Sequence, residues 1–233
     1  MRLDRLIGRE RGMGKRAVRE VLASGVVCVG GAVERDGSRE VGRFVRVEVG
    51  EEVLQARVGR YVLVNKPVGV VSATVDDEHA TVVGLVDREW AGELHLAGRL
   101  DRSTSGLVVL TNDSEFSERL TRPEEKVGKV YLVETDSDIP GEAVEAFEVG
   151  MWFAKEGVRT QPARVEMLGA KRCRLTIYEG KHHQVKRMFL RFGVRVVGLH
   201  REAVGELVLA GLRVGGWREL TAKEVGGLID GAG

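Results

Sequence analysis

The chain has 233 residues, with 36 Lys and Arg against 35 Asp and Glu and a formal net charge of +1, a length that suits one small domain plus one larger one. No apolar stretch is long enough for a bilayer span, and the opening Met1-Arg2-Leu3-Asp4-Arg5 is charged rather than signal-like, so no membrane association and a cytoplasmic location are expected. Two cysteines, Cys28 and Cys173, lie far apart with no CxxC spacing, which argues against a zinc site or a disulfide framework.

The near-neutral total hides an asymmetry. Arg2 to Arg19 holds seven basic residues against Asp4 and Glu10, and Arg164 to Arg201 holds ten against Glu166 and Glu179. Acid collects elsewhere, notably from Asp113 to Glu148. Two basic segments in a neutral chain fit a polyanion partner as well as they fit ordinary solvated surface.

In the first sixty residues, Leu3, Leu6 and Ile7 at helical spacing predict a short amphipathic helix, its outer face carrying Arg2, Arg5 and Arg9. Gly12-Met13-Gly14 breaks it. Ala17, Val18, Val21 and Leu22 predict a second helix with Lys15, Arg16 and Arg19 outside, ended by a left-handed cap at Gly25. Val26 to Val29 then reads as a strand entering the turn Gly30-Gly31. Gly8, Gly12, Gly14 and Lys15 do not make a phosphate loop: the spacing is wrong and no Ser or Thr follows the lysine. This order over Met1 to Val49 resembles the S4 RNA-binding fold, which implies RNA contacts from Arg5, Lys15, Arg16 and Arg19. Gly50 to Gly59 reads as a strand end plus a linker, so domains are expected over 1–59 and 60–233.

In the larger part, Tyr61 to Asn65 reads as a buried strand, ended by Lys66-Pro67, where the proline forces Lys66 to be extended. Thr81 to Leu85 reads as a short helix. His79 and His95 are isolated and read as surface or satisfied polar groups. Leu94 to Ala97 and Leu107 to Leu110 read as buried strands. Between them lies Gly98-Arg99-Leu100-Asp101-Arg102-Ser103-Thr104-Ser105-Gly106, a glycine-bounded loop that a substrate backbone can approach closely. Alone, Asp101 there reads as a turn residue bonding the Ser103 amide.

Asn112, Asp113 or Ser114 is suited to cap a helix reaching Arg122, stopped by Pro123. Lys129 to Glu134 alternates as a strand, with Tyr131 and Val133 on one face. Pro140 opens a helix closed by Gly150. Cys173 to Tyr178 is a further strand. In the run from Glu179 to Phe192, Val185, Met188, Phe189 and Phe192 share one helix face, placing Lys186 in the first turn, with Gly193 as the stop. His182-His183 lacks a carboxylate or thiolate partner in sequence, so no metal site is expected. Val194 to Leu199 and Leu207 to Leu209 are strands. Thr221-Ala222-Lys223-Glu224 is a capping box opening a last helix, and Gly231-Ala232-Gly233 should fray.

Four segments together resemble one family. Lys66-Pro67 after a strand, Gly98-Arg99-Leu100-Asp101 with Thr104 and Gly106, Lys129-x-Tyr131, and His183-Gln184-Val185-Lys186-Arg187-Met188 are similar to the RNA pseudouridine synthases of the RsuA/RluB/RluE/RluF group. With the S4-like segment, the resemblance covers nearly the whole chain. The run Glu179 to Phe189, continued by Leu199-His200-Arg201-Glu202, looks most like the small-subunit ribosomal RNA branch. Large-subunit members usually show Arg at the position of Lys186. Ser114 departs from the family, where many relatives have Gly after Asn-Asp, but that concerns only a turn.

The resemblance implies an α+β fold, with the S4-like domain followed by a mixed, largely antiparallel sheet with flanking helices. It implies isomerisation of one specific uridine to pseudouridine in small-subunit (16S) ribosomal RNA. Asp101 would be the nucleophile, Lys186 its cation and Tyr131 the surface on which the target ring stacks. Lys66, Arg99, Arg102, His183, Gln184 and Arg187 would contact the substrate or shape its loops. No metal or other cofactor is implied, the partner is ribosomal RNA, and a monomer is expected.

Elementary physics fits each role. Burial disfavours an ionised carboxylate, and a fixed cation beside it favours the charged form again. A uridine must leave its stack to be reached, at a cost of a few kcal/mol, and an aromatic surface receives it. A large-subunit target, or a non-catalytic RNA-binding assembly factor in which Asp101 only shapes a turn, are the alternatives. Pure binding requires none of the trio Asp101, Tyr131 and Lys186.

Overall fold

The computed structural model describes residues 1–154 and 157–230, so the expected fraying of Gly231 to Gly233 lies outside the described residues. The chain divides into two compact units, Met1–Gly59 and Arg60–Gly233. Among the described residues, no helix is long and apolar enough to cross a membrane.

The first unit begins with α1 (Leu3–Glu10) and α2 (Lys15–Ser24). Leu3, Leu6 and Ile7 from α1 and Val18 and Leu22 from α2 are buried together, as their spacing requires. Gly25 ends α2 in the left-handed region at φ 78°. A four-stranded antiparallel sheet follows: β1 (Val27–Val29), β2 (Ala32–Val33), β3 (Val47–Val49) and β4 (Glu52–Gln55), in the order β2-β1-β3-β4. The segment expected as a strand end plus a linker thus holds a complete short strand, β4. Gly50 at φ 61° makes the turn that folds Glu52 back opposite Val49. The weak apolar content of Glu52 to Gln55 hid a strand held by its backbone pairing.

The second unit is built on a nine-stranded sheet. Its strands are β5 (Tyr61–Lys66), β6 (His95–Ala97), β7 (Ser105–Thr111), β8 (Lys129–Thr135), β11 (Arg164–Gly169), β12 (Arg172–Ile177), β13 (Val196–Val204), β14 (Leu207–Val208) and β15 (Trp217–Glu219). The order is β11-β12-β8-β13-β7-β5-β15, with β6 on β7 and β14 on β13. A separate two-stranded ribbon joins β9 (Trp152–Phe153) and β10 (Val158–Arg159). The helices are α3 (Ser114–Thr121), α4 (Gly141–Val149), α5 (Gln184–Leu190) and α6 (Ala222–Asp230). Among these strand pairs the single parallel one is β7 with β13; the rest are antiparallel. The expected mixed, largely antiparallel sheet is borne out.

The unbroken apolar run Leu107 to Leu110 has a simple cause. Val108 and Leu110 face one core with Val62, Val64 and Val133, while Leu107 and Val109 face a second core with Leu63, Phe116 and Leu120. A strand covered on both faces has no polar side. Helix caps follow the chemistry of their residues. The Asp113 carboxylate accepts the amides of Glu115 and Phe116 at 3.0 and 3.3 Å, an arrangement worth about 1 kcal/mol. Arg122, before Pro123, is extended and ends α3. Thr221 and Glu224 make the reciprocal capping box of α6.

Two expectations change. Thr81 to Leu85 forms only a single 3-10 turn at Val83–Leu85, because Thr81 bridges Val71 and Val82 is completely buried. The strand expected over Val194 to Leu199 begins at Val196 and runs on through His200, Arg201 and Glu202 to Val204. An arginine in that strand is fully accommodated, for reasons that belong to the site.

Candidate active site

Asp101 lies in the loop joining β6 to β7. Gly98 and Gly106 bound it at φ 94° and 112°, conformations that a side chain rarely adopts. Inside the loop the Thr104 amide donates to the Asp101 carbonyl at 3.0 Å. Ser72 grips Leu100 reciprocally: its hydroxyl donates to the Leu100 carbonyl at 2.7 Å and accepts the Leu100 amide at 3.0 Å. These contacts fix the residue next to Asp101 without using its carboxylate, which takes no part in the Asx turn that a lone loop aspartate suggests.

That carboxylate instead faces two cationic or potentially cationic groups from the start of α5. Lys186 Nζ stands 3.6 Å from Asp101 Oδ2, and His183 Nε2 stands 3.5 Å from Oδ1. Lys186 is held in place by Ser103, whose hydroxyl accepts from the ammonium at 2.6 Å. Both Asp101 and Lys186 keep 29% of their side-chain surface exposed, so the pair is reachable by a ligand and only partly dehydrated. At this separation the attraction is of order a few kcal/mol before the cost of removing water. His183 adopts a left-handed backbone, φ 50°, and its ring stacks on His182 with centroids 3.8 Å apart. Non-glycine residues in that region are uncommon and collect at functional sites.

These groups line a cleft of about 620 Å³ that also contains Tyr131, Arg99, Arg102 and Thr104. Tyr131 comes from β8, is 7% exposed and packs in the sheet core, so its ring forms part of the cleft wall. Asp76, the other carboxylate of the cleft, accepts the amides of Glu78 and His79 and sits beside the His79 ring. Those backbone hydrogen bonds hold it below the usual carboxylate range. It is a turn-forming anion, unsuited to serve as a proton donor. Among the described residues, no group of three or more His, Cys, Asp or Glu is arranged to hold a metal ion.

The other residues expected to contact the substrate or shape its loops divide between internal contacts and the surface. Lys66 is completely buried, and its ammonium donates to the carbonyls of Pro67 and Val70 at 2.9 and 2.8 Å. Burial pushes it down to about 8, against the opposing pull of Asp101. It braces the loop after β5 and offers nothing to a phosphate. Gln184 is also buried. Its amide donates to Glu179 at 2.8 Å and its carbonyl accepts the Lys181 amide at 3.0 Å, closing the loop before α5. Arg187 lies over the Phe153 ring at 4.0 Å, and its guanidinium donates to the His182 carbonyl at 3.3 Å, outside the cleft lining. Arg99 and Arg102 are exposed at the cleft. Arg5, Lys15, Arg16 and Arg19 are exposed on the helices of the first unit, with Arg16 paired to Glu20 at 3.2 Å.

Sequence reasoning assigned no role to Ser72, Ser103 or Arg201. For Arg201 a signal existed: a charge inside a strand otherwise bounded by Val196 to Leu199 and Ala203-Val204.

The sequence pattern of the RNA pseudouridylate synthase family matches residues 60–191, which span Asp101, Tyr131 and Lys186. The chain belongs to the RNA pseudouridylate synthase family. It is similar to the ribosomal small subunit pseudouridine synthase A of Pseudomonas aeruginosa, with 44% identity over 227 residues, 97% of this chain and 99% of that protein. The protein of the same name from Escherichia coli is 38% identical over 231 residues, 98% of this chain and 100% of its own length. A crystal structure described as a pseudouridylate synthase covers 98% of this chain and 99% of its own, at 35% identity and a TM-score of 0.71. The expected enzyme class and fold class are therefore borne out, and the synthase presents its cleft where the sheet turns parallel.

Proposed function

We propose that this synthase isomerises a specific uridine of small-subunit ribosomal RNA to pseudouridine, with Asp101 as nucleophile. The observation that carries the assignment is the placing of Asp101 between Lys186 and His183 in a cleft walled by Tyr131. In the reaction the N1–C1′ bond breaks and a C1′–C5 bond forms; the proton lost at C5 is matched by one gained at N1. Asp101 attacks the nucleoside, at C1′ or at C6 of the ring, and is released when the turned ring is rejoined. Lys186, with Nζ 3.6 Å from Asp101 Oδ2, holds a positive charge beside the reacting carboxylate. Tyr131 receives the ring once it has left its stack, and Arg99 and Arg102 neutralise neighbouring phosphates. No redox change occurs, so no cofactor is required by the chemistry. The protein works as a cytoplasmic monomer on RNA.

The small-subunit target rests on the names of the two relatives given above and their nearly full-length coverage. Lys186, where large-subunit members usually carry Arg, supports the same choice. Mapping pseudouridines in ribosomal RNA from cells with and without the protein tests it. One site should vanish from the small-subunit RNA; a site vanishing from the large-subunit RNA instead would overturn the target, and no change would overturn the activity.

The first unit is, in this reading, an S4-like RNA-binding domain whose α2 presents Lys15, Arg16 and Arg19 to phosphates. Replacing all three by Ala should weaken RNA binding and flatten its salt dependence by about two in the slope of log K against log salt, at roughly 0.7 to 0.9 for each phosphate no longer neutralised. An unchanged slope would remove the helix from the interface.

A further inference from the structure

We propose that Arg201 is a positioning residue for the isomerisation, setting the loop of Asp101 and the hydroxyl of Tyr131 in one act. The proposal rests on the assignment of Asp101 and Tyr131 made above.

Arg201 is 3% exposed, and its guanidinium carries only donors. Nε donates to the Leu107 carbonyl at 2.7 Å, and Nη1 to the Arg99 carbonyl at 3.4 Å. Arg99 precedes Asp101 by two positions, and Leu107 lies just past the glycine that closes the loop. One rigid fork therefore ties the two ends of the loop together. Nη1 also donates to the Tyr131 hydroxyl oxygen at 3.4 Å. Because the guanidinium cannot accept, the phenol must be the acceptor there, and its own proton is left for another partner.

The backbone of Arg201 makes the same connection. It pairs in parallel with Gly106 on one side and antiparallel with Tyr131 on the other. Arg201 is thus the residue through which the carboxylate's loop and the aromatic wall are registered to each other. A lysine offers a point charge on a flexible stem in place of the planar fork and cannot span these acceptors in the same geometry. A misplacement of about 1 Å at a reacting group costs on the order of 100-fold in rate.

The test is steady-state and single-turnover kinetics of Arg201→Lys and Tyr131→Phe, alone and combined, on the full chain with its ribosomal RNA substrate. Each protein's folded fraction is measured by circular dichroism. Arg201→Lys should lower kcat by roughly 10- to 100-fold with KM within about 2-fold, since the uridine still reaches the cleft. Tyr131→Phe keeps the stacking ring and removes only the hydroxyl that Arg201 holds; it should also lower kcat. The combined variant should fall short of the product of the two effects, because both act on the same hydrogen bond. A wild-type kcat in Arg201→Lys, a loss matched by its unfolded fraction, or strictly multiplicative losses would overturn the proposal. Should Arg201→Lys fail to fold, wild-type kcat in Tyr131→Phe overturns it and a lowered kcat supports it. Activity retained by Asp101→Asn would instead remove the assignment beneath it, whatever these variants do.

Discussion

Asp101→Asn is expected to lower isomerisation by about 10⁴-fold or more, as removal of a nucleophile does when no neighbour can replace it. That factor corresponds to about 5.5 kcal/mol of lost transition-state stabilisation. No replacement is at hand, because among the described residues Asp76 is the only other carboxylate lining the cleft, and its Oδ1 is tied into the turn at Glu78 and His79. Asparagine keeps the size and leaves the Ser72–Leu100 grip untouched. RNA affinity should therefore stay within a few-fold, and tighten if anything, since a negative charge has been removed from a polyanion's site. Conversion measured under single-turnover conditions decides the matter: a rate near wild type would show that Asp101 does not attack the nucleoside.

Gly106→Ala should be among the most damaging small substitutions in the second unit. The glycine sits at φ 112°, and an added Cβ would overlap the backbone carbonyl and amide of Arg201. Two independent costs combine here. The conformation itself is worth on the order of 1–3 kcal/mol, and the overlap falls on strand backbone that cannot rotate away. A total near 3 kcal/mol would lower Tm by roughly 6–12 °C for a protein of this size. Relief of the overlap means separating β7 from β13, which shifts the attached Asp101 loop and should also cost activity in the fraction that folds. Gly69→Ala is the control. It has a similar φ of 92° with nothing within 4 Å, so it should carry the conformational cost alone and lower Tm by less. Equal Tm values for the two variants would mean that β13 does not confine Gly106.

What could be read without coordinates was what the side-chain pattern encodes. The helices α1, α2 and α5 announce themselves by apolar spacing, and the apolar residues that each buries are among those its period selects. The glycine-bounded loop was legible because two strands of apolar residues frame it. Three kinds of feature were not. The strands β9, β10 and β11 expose most of their side chains and are defined by backbone pairing, which no hydrophobic pattern records. Lys66 and Gln184 carry polar groups that normally face water, yet backbone carbonyls and Glu179 satisfy them inside. Arg201 is the extreme case, a charge in a strand made tolerable by acceptors about a hundred residues away in sequence. Such partners are known only once the chain has closed on itself.

That distance bears on when the enzyme can first work. The sole parallel pairing among the described strands of the main sheet joins β7 to β13, across contacts such as Ser105 to His200, separated by 95 positions. Contacts of such long range are slow to form, and synthesis proceeds from the amino terminus. A growing polypeptide that still lacks β13 has made its carboxylate, its tyrosine and its lysine, but not the strand that registers them. On the proposed roles, competence to modify RNA arrives only once β13 has been made and paired, and products that stop short of it hold Asp101, Tyr131 and Lys186 without the strand that registers them.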